Sequence, residues 1–542
     1  MLTRASCNRI AGVLTLLGVA GPAITLGVPL PAMAQSAAPA SDRVLHVVPS
    51  ADLAELDPTR GANQIARIYS QMVFDTLFAL DHELVPKPMM VDTETVSPDR
   101  LTYRFTLRPD LRFQDGSPVT TRDVIASLER WMQGGSIGPA LKARLASMTA
   151  DDDRTFTMVL KEPFGLLEFA LAGPGAPIAA IMREADAKRG NTPMTAPIGS
   201  GPFRYVAEER QSGNLSVFVR NPDYPSRPEP PDGLAGGRVV KVDRVEWKVI
   251  PDATTAANAL VTGEVDFWDT VTPDLAQFLK SKGVIVRRTA TLPMTAWIRP
   301  NFTTPPFDKP EARQALALLL DQTEMMQAVA GENGKFSTCY SFSVCGSTYA
   351  TDVGSDAYRK PDIAKAKALM KKAGYKGEPI VVISSSQLPI VSAMAQVVAQ
   401  RLKDAGLNVD LQDGDWANQY KRVNTRMAPG APGQWQIFPS YALGGTWFNP
   451  LTNVALDTSC GASSTAILGW PCDPEGETLR QKVLSAPDAA ARTAAFATFQ
   501  KRLWDFLPYI PAGQFDVANA YRKNIDGVLD SYVIAYWNIS KH

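Results

Sequence analysis

Histidine is almost missing from this chain: of 542 residues only His46, His82 and His542 carry an imidazole. A histidine-based triad or a His-rich metal centre has little material from which to be built. No G-x-S-x-G elbow accompanies the Ser/Thr run at Ser463-Ser464-Thr465, so a secreted serine hydrolase is disfavoured as well. Neither sign of charge is in excess, with 55 Lys+Arg against 55 Asp+Glu. That balance supplies no basic field for nucleic acid or an anionic membrane, and nucleic acid is not expected as a partner. Beyond about residue 30 no apolar run reaches membrane-spanning length. What is present is ordinary for a globular protein, 45% hydrophobic and 20% charged, in a chain long enough for two or three domains.

The amino terminus reads as a leader. Arg4 and Arg9 precede an apolar run from Ile10 to about Leu30, and Ala32-Met33-Ala34 places small residues where a signal peptidase accepts them. Residues 1–34 are therefore expected to be a signal peptide, with cleavage before Gln35 and a periplasmic, secreted product. A membrane anchor is the competing reading, weakened by Gly12, Gly18, Gly21, Pro22, Gly27 and Pro29 within the run. Cys7 lies in the charged leader and gives no lipid-anchor signal. Four cysteines remain, Cys339, Cys345, Cys460 and Cys472, an even number that in an oxidising compartment suggests two disulfides. Of three pairings the local ones, 339 with 345 and 460 with 472, are favoured because each spans a short Gly/Ser/Thr-rich stretch. Zinc-ligand spacing fits neither pair, and no metal or cofactor is expected.

The stretch "LTYRFTLRPDLRFQDGSPVTTRDVIASL" (101–128) packs several elements into little sequence. Leu101, Tyr103, Phe105 and Leu107 alternate with polar residues, the pattern of a strand with one buried face. A second extended piece, Leu111 to Phe113, runs into the turn Asp115-Gly116-Ser117-Pro118. Thr120 with Asp123 then forms a capping-box start for a helix carrying Val124, Ile125, Leu128 and Trp131 at helical spacing. Turn and cap roles explain both aspartates, and nothing here calls for catalysis.

The rest alternates strands and helices in two blocks. Arg43 to Val48 reads as a strand, followed by a Pro/Gly loop and a helix with Ile68, Met72 and Phe74 in the core. Residues 75 to 197 continue the alternation, 197–210 and 215–225 read as paired strands, and 242–268 gives strand, helix and strand. Past Arg288 come a helix with Ala315, Leu316, Leu319 and Leu320 on one stripe, a helix over 362–375, and a strand from Val381 to Ser384. A helix over 390–405 and strands at 407–411 and 435–438 complete a second α/β block.

The ordered motifs of the chain resemble the large periplasmic substrate-binding proteins of ABC importers, solute-binding family 5, which includes dipeptide, oligopeptide and nickel receptors. Leu107-Arg108, Phe113, Asp115-Gly116, Pro118, Asp123-Val124 and Ser127 stand at that family's spacings. Leu56-Asp57-Pro58, Gly199-Ser200-Gly201-Pro202-Phe203, Asn221-Pro222-Asp223-Tyr224, Ala259-Leu260, Gly263-Glu264-Val265-Asp266, Pro306-Phe307, Arg313-Gln314-Ala315, Ala373-Gly374-Tyr375 and Gly469-Trp470 follow in order over nearly the whole mature chain.

The resemblance implies an α/β, two-lobed periplasmic binding protein fold of type II, enlarged by an extra domain and closing about a hinge. Lobe I is expected from 35–74, 198–288 and 508–542, the extra domain from 75–197, and lobe III from 289–507. The implied function is capture of a peptide-like or other small organic solute between the lobes, and its delivery by a monomer to a membrane ABC permease. A sensing receptor for chemotaxis or signalling, or a metal-chelate importer component, would share the fold. Expected pocket residues are Asn63, Arg67 and Tyr69 from the first lobe, and Trp297, Arg299, Trp416, Trp435, Tyr441, Thr446 and Trp447 from the second. Tryptophan and tyrosine offer broad apolar faces with one polar handle, and Arg299 is a candidate carboxylate clamp. Trp435 and Trp447 rank first, because the resembling family places ligand contacts in their segment. Peptide-binding members carry an aspartate there for the peptide ammonium; aligned on Pro450, this chain has Thr446, and 433–455 holds no acid. Ordinary unblocked di- and tripeptides are therefore expected to bind poorly, and a modified peptide, opine-like compound, glycoside or metal chelate is expected instead.

Overall fold

The computed structural model describes residues 43–542 except 62, 136, 176, 333, 429 and 461–467. The expected leader with its cleavage site, and the Ser463-Ser464-Thr465 run, lie outside the described residues. Three sheets organise the chain. The first has seven strands in the order Ile285–Arg287, Ala518–Tyr521, Phe267–Val271, Val44–Val48, Arg244–Lys248, Leu215–Arg220 and Phe203–Tyr205. Its central strand, "VLHVV", runs parallel to both neighbours, and the near-continuous apolar run is what a strand covered on both faces requires. On one face Trp247 packs on Phe218 and Tyr536, and Phe267 stacks on Tyr521.

The extra sheet is a four-stranded antiparallel unit, Val91–Val96, Thr102–Leu107, Thr155–Leu160 and Leu145–Ala150. Tyr103, Phe105 and Leu107 point inward as their alternation requires, while Arg104 on the outer face pairs with Asp151 at 2.8 Å. The helix Thr121–Trp131 starts with the expected capping box, the Thr120 amide donating to Asp123 at 2.8 Å. Leu111 to Phe113 is not a strand. The turn at Asp115-Gly116 closes so soon that only an isolated bridge, Arg112 with Pro118, forms. Asp115 also pairs with Arg183 at 2.9 Å, tying the turn to the following segment.

The second lobe is built on a six-stranded sheet in the order Phe336–Ser337, Ile510–Phe515, Met294–Pro300, Ile437–Ala442, Ile380–Ser384 and Val409–Asp413. The last-expected strands lie about two residues later than their apolar patterns suggest, because pairing with Ile380–Ser384 sets their register. Both local disulfides, Cys339–Cys345 and Cys460–Cys472, are formed. Two short crossings join the lobes, one from Arg287 to Met294 and one from Phe515 to Ala518. Ile510–Phe515 pairs within the second sheet and Ala518–Tyr521 within the first. At the crossings the Thr289 hydroxyl donates to Asn519, and the Ser531 amide donates to the Thr289 carbonyl at 3.0 Å. Among the described residues no helix is long and apolar enough to cross a membrane.

Candidate functional site

On the first lobe the helix Gln64–Val73 is buried along its whole length after Gln64, although it carries polar side chains. Arg67 and Gln71 stand one turn apart and share a face. Gln71 accepts from Arg238 Nη2 at 3.3 Å, and Arg238, fully buried, pairs with Asp75 at 2.8 Å and lies over the Trp537 ring at 4.7 Å. Burial raises the Asp75 carboxyl above its ordinary range even though Arg238 opposes it. Arg67 is 6% exposed, and among the described residues its Nε and Nη1, like Nε2 of Gln71, have no hydrogen-bond partner. Burial lowers the Arg67 pKa, and its electrostatic neighbour is the Tyr532 phenol, itself pushed up to about 12 by burial. The Tyr532 hydroxyl donates to the Gly173 carbonyl at 3.0 Å.

On the second lobe one face of Met294–Pro300 carries an aromatic cluster. Trp297 stacks on Trp447 with ring centres 5.0 Å apart, and Tyr509 closes the cluster edge-on to Trp297 at 6.2 Å and tilted over Trp447 at 5.5 Å. The short turn Gly444–Trp447 supplies Trp447, with the Thr446 hydroxyl donating to Leu443 O at 2.9 Å. Nε1 of Trp297 and both amide atoms of the buried Gln514 have no partner. Gln514 sits opposite Thr295 in the ladder, two residues from Trp297.

The two sides meet at a seam. A Cβ placed on Gly445 would lie 2.6 Å from Tyr532 Cβ, so only glycine permits this approach of the aromatic turn to the first lobe. Beside it Phe448 meets Phe169 of the extra domain edge-on at 5.6 Å. A cavity of about 220 Å³ opens there, lined mainly by apolar atoms of Phe169, Tyr349 and Phe448, with Arg492 at its rim donating to Gly165 O at 2.9 Å. The arrangement gives broad aromatic faces on one side and unpartnered polar groups on the other, the composition of an organic-solute site. No cluster of three or more His, Cys, Asp or Glu suited to a metal occurs among the described residues.

The other expected pocket residues are distributed differently. Asn63 is exposed and caps the helix, accepting from the Ala66 amide at 2.9 Å. Tyr69 is fully buried, packs on Phe74, Tyr205 and Phe218, and spends its hydroxyl on Leu56 O at 3.0 Å. Arg299 is 1% exposed and donates to the carbonyls of Pro508 and Ala455, while its Nε has no hydrogen-bond partner among the described residues. Burial lowers its pKa to about 9. Trp435 is core as well, packed on Phe438 and Trp470. Trp416 begins the helix Trp416–Val423 and stacks on Phe438 at 5.9 Å, and Phe438 in turn meets Trp297 edge-on at 6.0 Å, so Trp416 stands one ring removed from the Trp297–Trp447 pair. Tyr441 lies edge-on to Phe515 at 5.9 Å on the opposite face of the sheet from Trp297. Sequence reasoning missed Gln71, Tyr532, Tyr509 and Gln514. For Gln71 the signal was available, a polar pair at i and i+4 in an otherwise apolar helix.

Comparison with known proteins places this geometry. The model of the bacterial extracellular solute-binding proteins, family 5 Middle, matches residues 85–452. The chain is 37% identical over 525 residues to a probable peptide ABC transporter periplasmic-binding protein, y4tO, of Sinorhizobium fredii, covering 95% of this chain and 96% of that protein. It is 26% identical over 531 residues to the glutathione-binding protein GsiB of Escherichia coli K12, covering 93% and 95%. Among solved structures, AgaA of A. tumefacien R10 in complex with agropinic acid matches with a TM-score of 0.75 at 22% identity, over 92% of this chain and 99% of that one. The dipeptide-binding protein of Pseudoalteromonas sp. SM9913 with Met-Leu matches with a TM-score of 0.77 at 19% identity, over 92% and 100%. At these identities the solved structures establish the two-lobed fold alone.

Proposed function

Since the chain belongs to the bacterial extracellular solute-binding proteins of family 5, we propose that it captures a small organic solute at the seam between its lobes and presents the closed form to a membrane ABC permease. The observation that carries this reading is the Gly445–Tyr532 approach, which brings the Trp297–Trp447 aromatic faces against the first lobe. Two crossings act as the hinge, and affinity arises from contacts that exist only when both lobes touch the ligand. The bound solute leaves chemically unchanged.

The solute class follows from what the aromatic turn lacks. Thr446 sits where an acid would meet a peptide ammonium, and its hydroxyl already serves Leu443 O. Asp413 and Asp415, the acids that precede this segment, are occupied: Asp413 accepts from Ser384, and Asp415 caps the helix Trp416–Val423. A buried ammonium left unpaired costs several kcal/mol, so unblocked di- and tripeptides are poor ligands here. Modified peptides, opine-like compounds, glycosides and metal chelates suit the aromatic faces. The test is calorimetry on ligand-stripped protein with peptides, glutathione and an opine, joined to mass spectrometry of the solute recovered after denaturation. Micromolar binding of free-amine dipeptides overturns the solute assignment, and recovery of a cleaved product overturns the transport reading.

A further inference from the structure

Arg67 is a buried cation for which the protein supplies no counter-charge. Among the described residues no carboxylate lies within ion-pairing distance of it, and two of its nitrogens are shielded without a partner. The nearby acid, Asp75, is spent on Arg238 at 2.8 Å. The cluster of Arg67, Arg238 and Asp75 thus keeps one positive charge uncompensated in a region from which water is largely excluded. An unpaired buried ion is among the most destabilising features a fold can hold, and an apolar side chain of the same length would fill the space at no such penalty. Gln71 stands on the same face, and its Nε2, which makes no full-geometry hydrogen bond among the described residues and has the Tyr532 hydroxyl as its polar neighbour, can turn to a further acceptor. Tyr532 links this cluster to the seam, since it neighbours Arg67 electrostatically and touches Gly445 of the aromatic turn.

We propose that Arg67 is the anchor for a carboxylate of the captured solute, with Gln71 as a second donor, and that the natural ligand is therefore an organic anion. This rests on the solute-binding reading above and narrows it. A guanidinium presents planar paired donors matched to a carboxylate, which lysine does not. With an aromatic cluster on one lobe and a cation on the other, the preferred solute has an apolar or ring-like body and an acid at the end that faces the first lobe.

The experiment uses the full-length mature protein, stripped of ligand, and an N-acetylated dipeptide and an N-carboxyalkyl amino acid as probes, each beside its carboxamide. Wild type should bind the carboxylate forms about 10- to 100-fold more tightly than the amides, the range expected for a hydrogen bond to a charged group. Arg67→Met should lose that discrimination and Arg67→Lys should recover part of it. Without any solute, Arg67→Met should melt at or above the wild-type temperature, because the unpaired charge is gone. Arg67→Met that binds the carboxylates like wild type, or that melts well below it, overturns the anchor while leaving the solute-binding reading intact. A wild type that binds neither form of any probe or peptide overturns that reading and the anchor together.

Discussion

Gly165 offers a way to test lobe closure without touching the ligand. It belongs to the extra domain, and a Cβ there would lie 2.1 Å from the Ala486 carbonyl oxygen and 2.9 Å from Arg492 Nη1, both on the second lobe. Ordinary contact needs about 3.4 Å or more, so Gly165→Ala forces the facing backbone back by roughly 1 Å, an overpacking cost of about 1–3 kcal/mol. A flexible side chain would yield, but a helix-terminal carbonyl does not. The backbone at Gly165 is not left-handed, so alanine is otherwise tolerated and stiffens the unfolded chain. The variant should keep its melting temperature while binding its solute about 5- to 150-fold more weakly, as the conversion of that cost into affinity requires. Small-angle scattering with saturating solute should give a larger radius of gyration than wild type. Gly134→Ala is the control, its nearest neighbour being Thr59 O at 3.7 Å. Wild-type affinity and compaction in Gly165→Ala would show that this seam is not part of the loaded state.

Two more outcomes follow from buried groups near the site and the hinge. Asp269, 1% exposed, is lifted from 3.8 to about 6 by burial, against which the Ser50 amide gives only partial relief. The folded chain holds a proton there that the unfolded chain has released, so stability falls by about 3 kcal/mol as pH rises from about 4 to 6. Asp269→Asn should remove that fall and be the more stable protein at pH 7.5; equal denaturation midpoints at pH 7.5 would refute the burial argument. Trp447→Ala removes one face of the Trp297 stack, worth about 0.5–1.5 kcal/mol beyond its buried area, and should weaken solute binding at least tenfold by calorimetry while Trp447→Phe retains most of it. Unchanged affinity in Trp447→Ala would move the site away from the aromatic turn.

Features decided by near neighbours were legible in the sequence. The strand around Tyr103 and Phe105, the Thr120–Asp123 cap and the short-range cysteine pairs each rest on residues a few positions apart, where spacing fixes geometry. The site depends on distant partners. Tyr69 has the chemistry of a ligand contact, and only the position of Leu56 O turns it into core. Arg299 has the chemistry of a clamp until Pro508 and Ala455, far along the chain, each take one of its donors. Tyr532 reaches the seam from the carboxyl-terminal tail through packing against Gly445, which no local pattern encodes. Arg67 was readable as a candidate, but its significance lies in the partner it does not have, and that is a property of the folded neighbourhood.

The strand Ala518–Tyr521 sits inside the seven-stranded sheet, between Phe267–Val271 and Ile285–Arg287, rather than at its rim. The strand that seals the first lobe's sheet thus follows the whole of the second lobe in the chain. Without residues 518–542, Ile285–Arg287 has no neighbour to pair with, and the core around Trp247 lacks Tyr536. The second lobe, whose chain enters at Met294 and leaves at Phe515 on adjacent paired strands, has its own sheet without them. Closure of the first lobe's sheet thus depends on contacts between residues more than 200 positions apart, whereas the second sheet is assembled within the single stretch from Phe515 back to Met294.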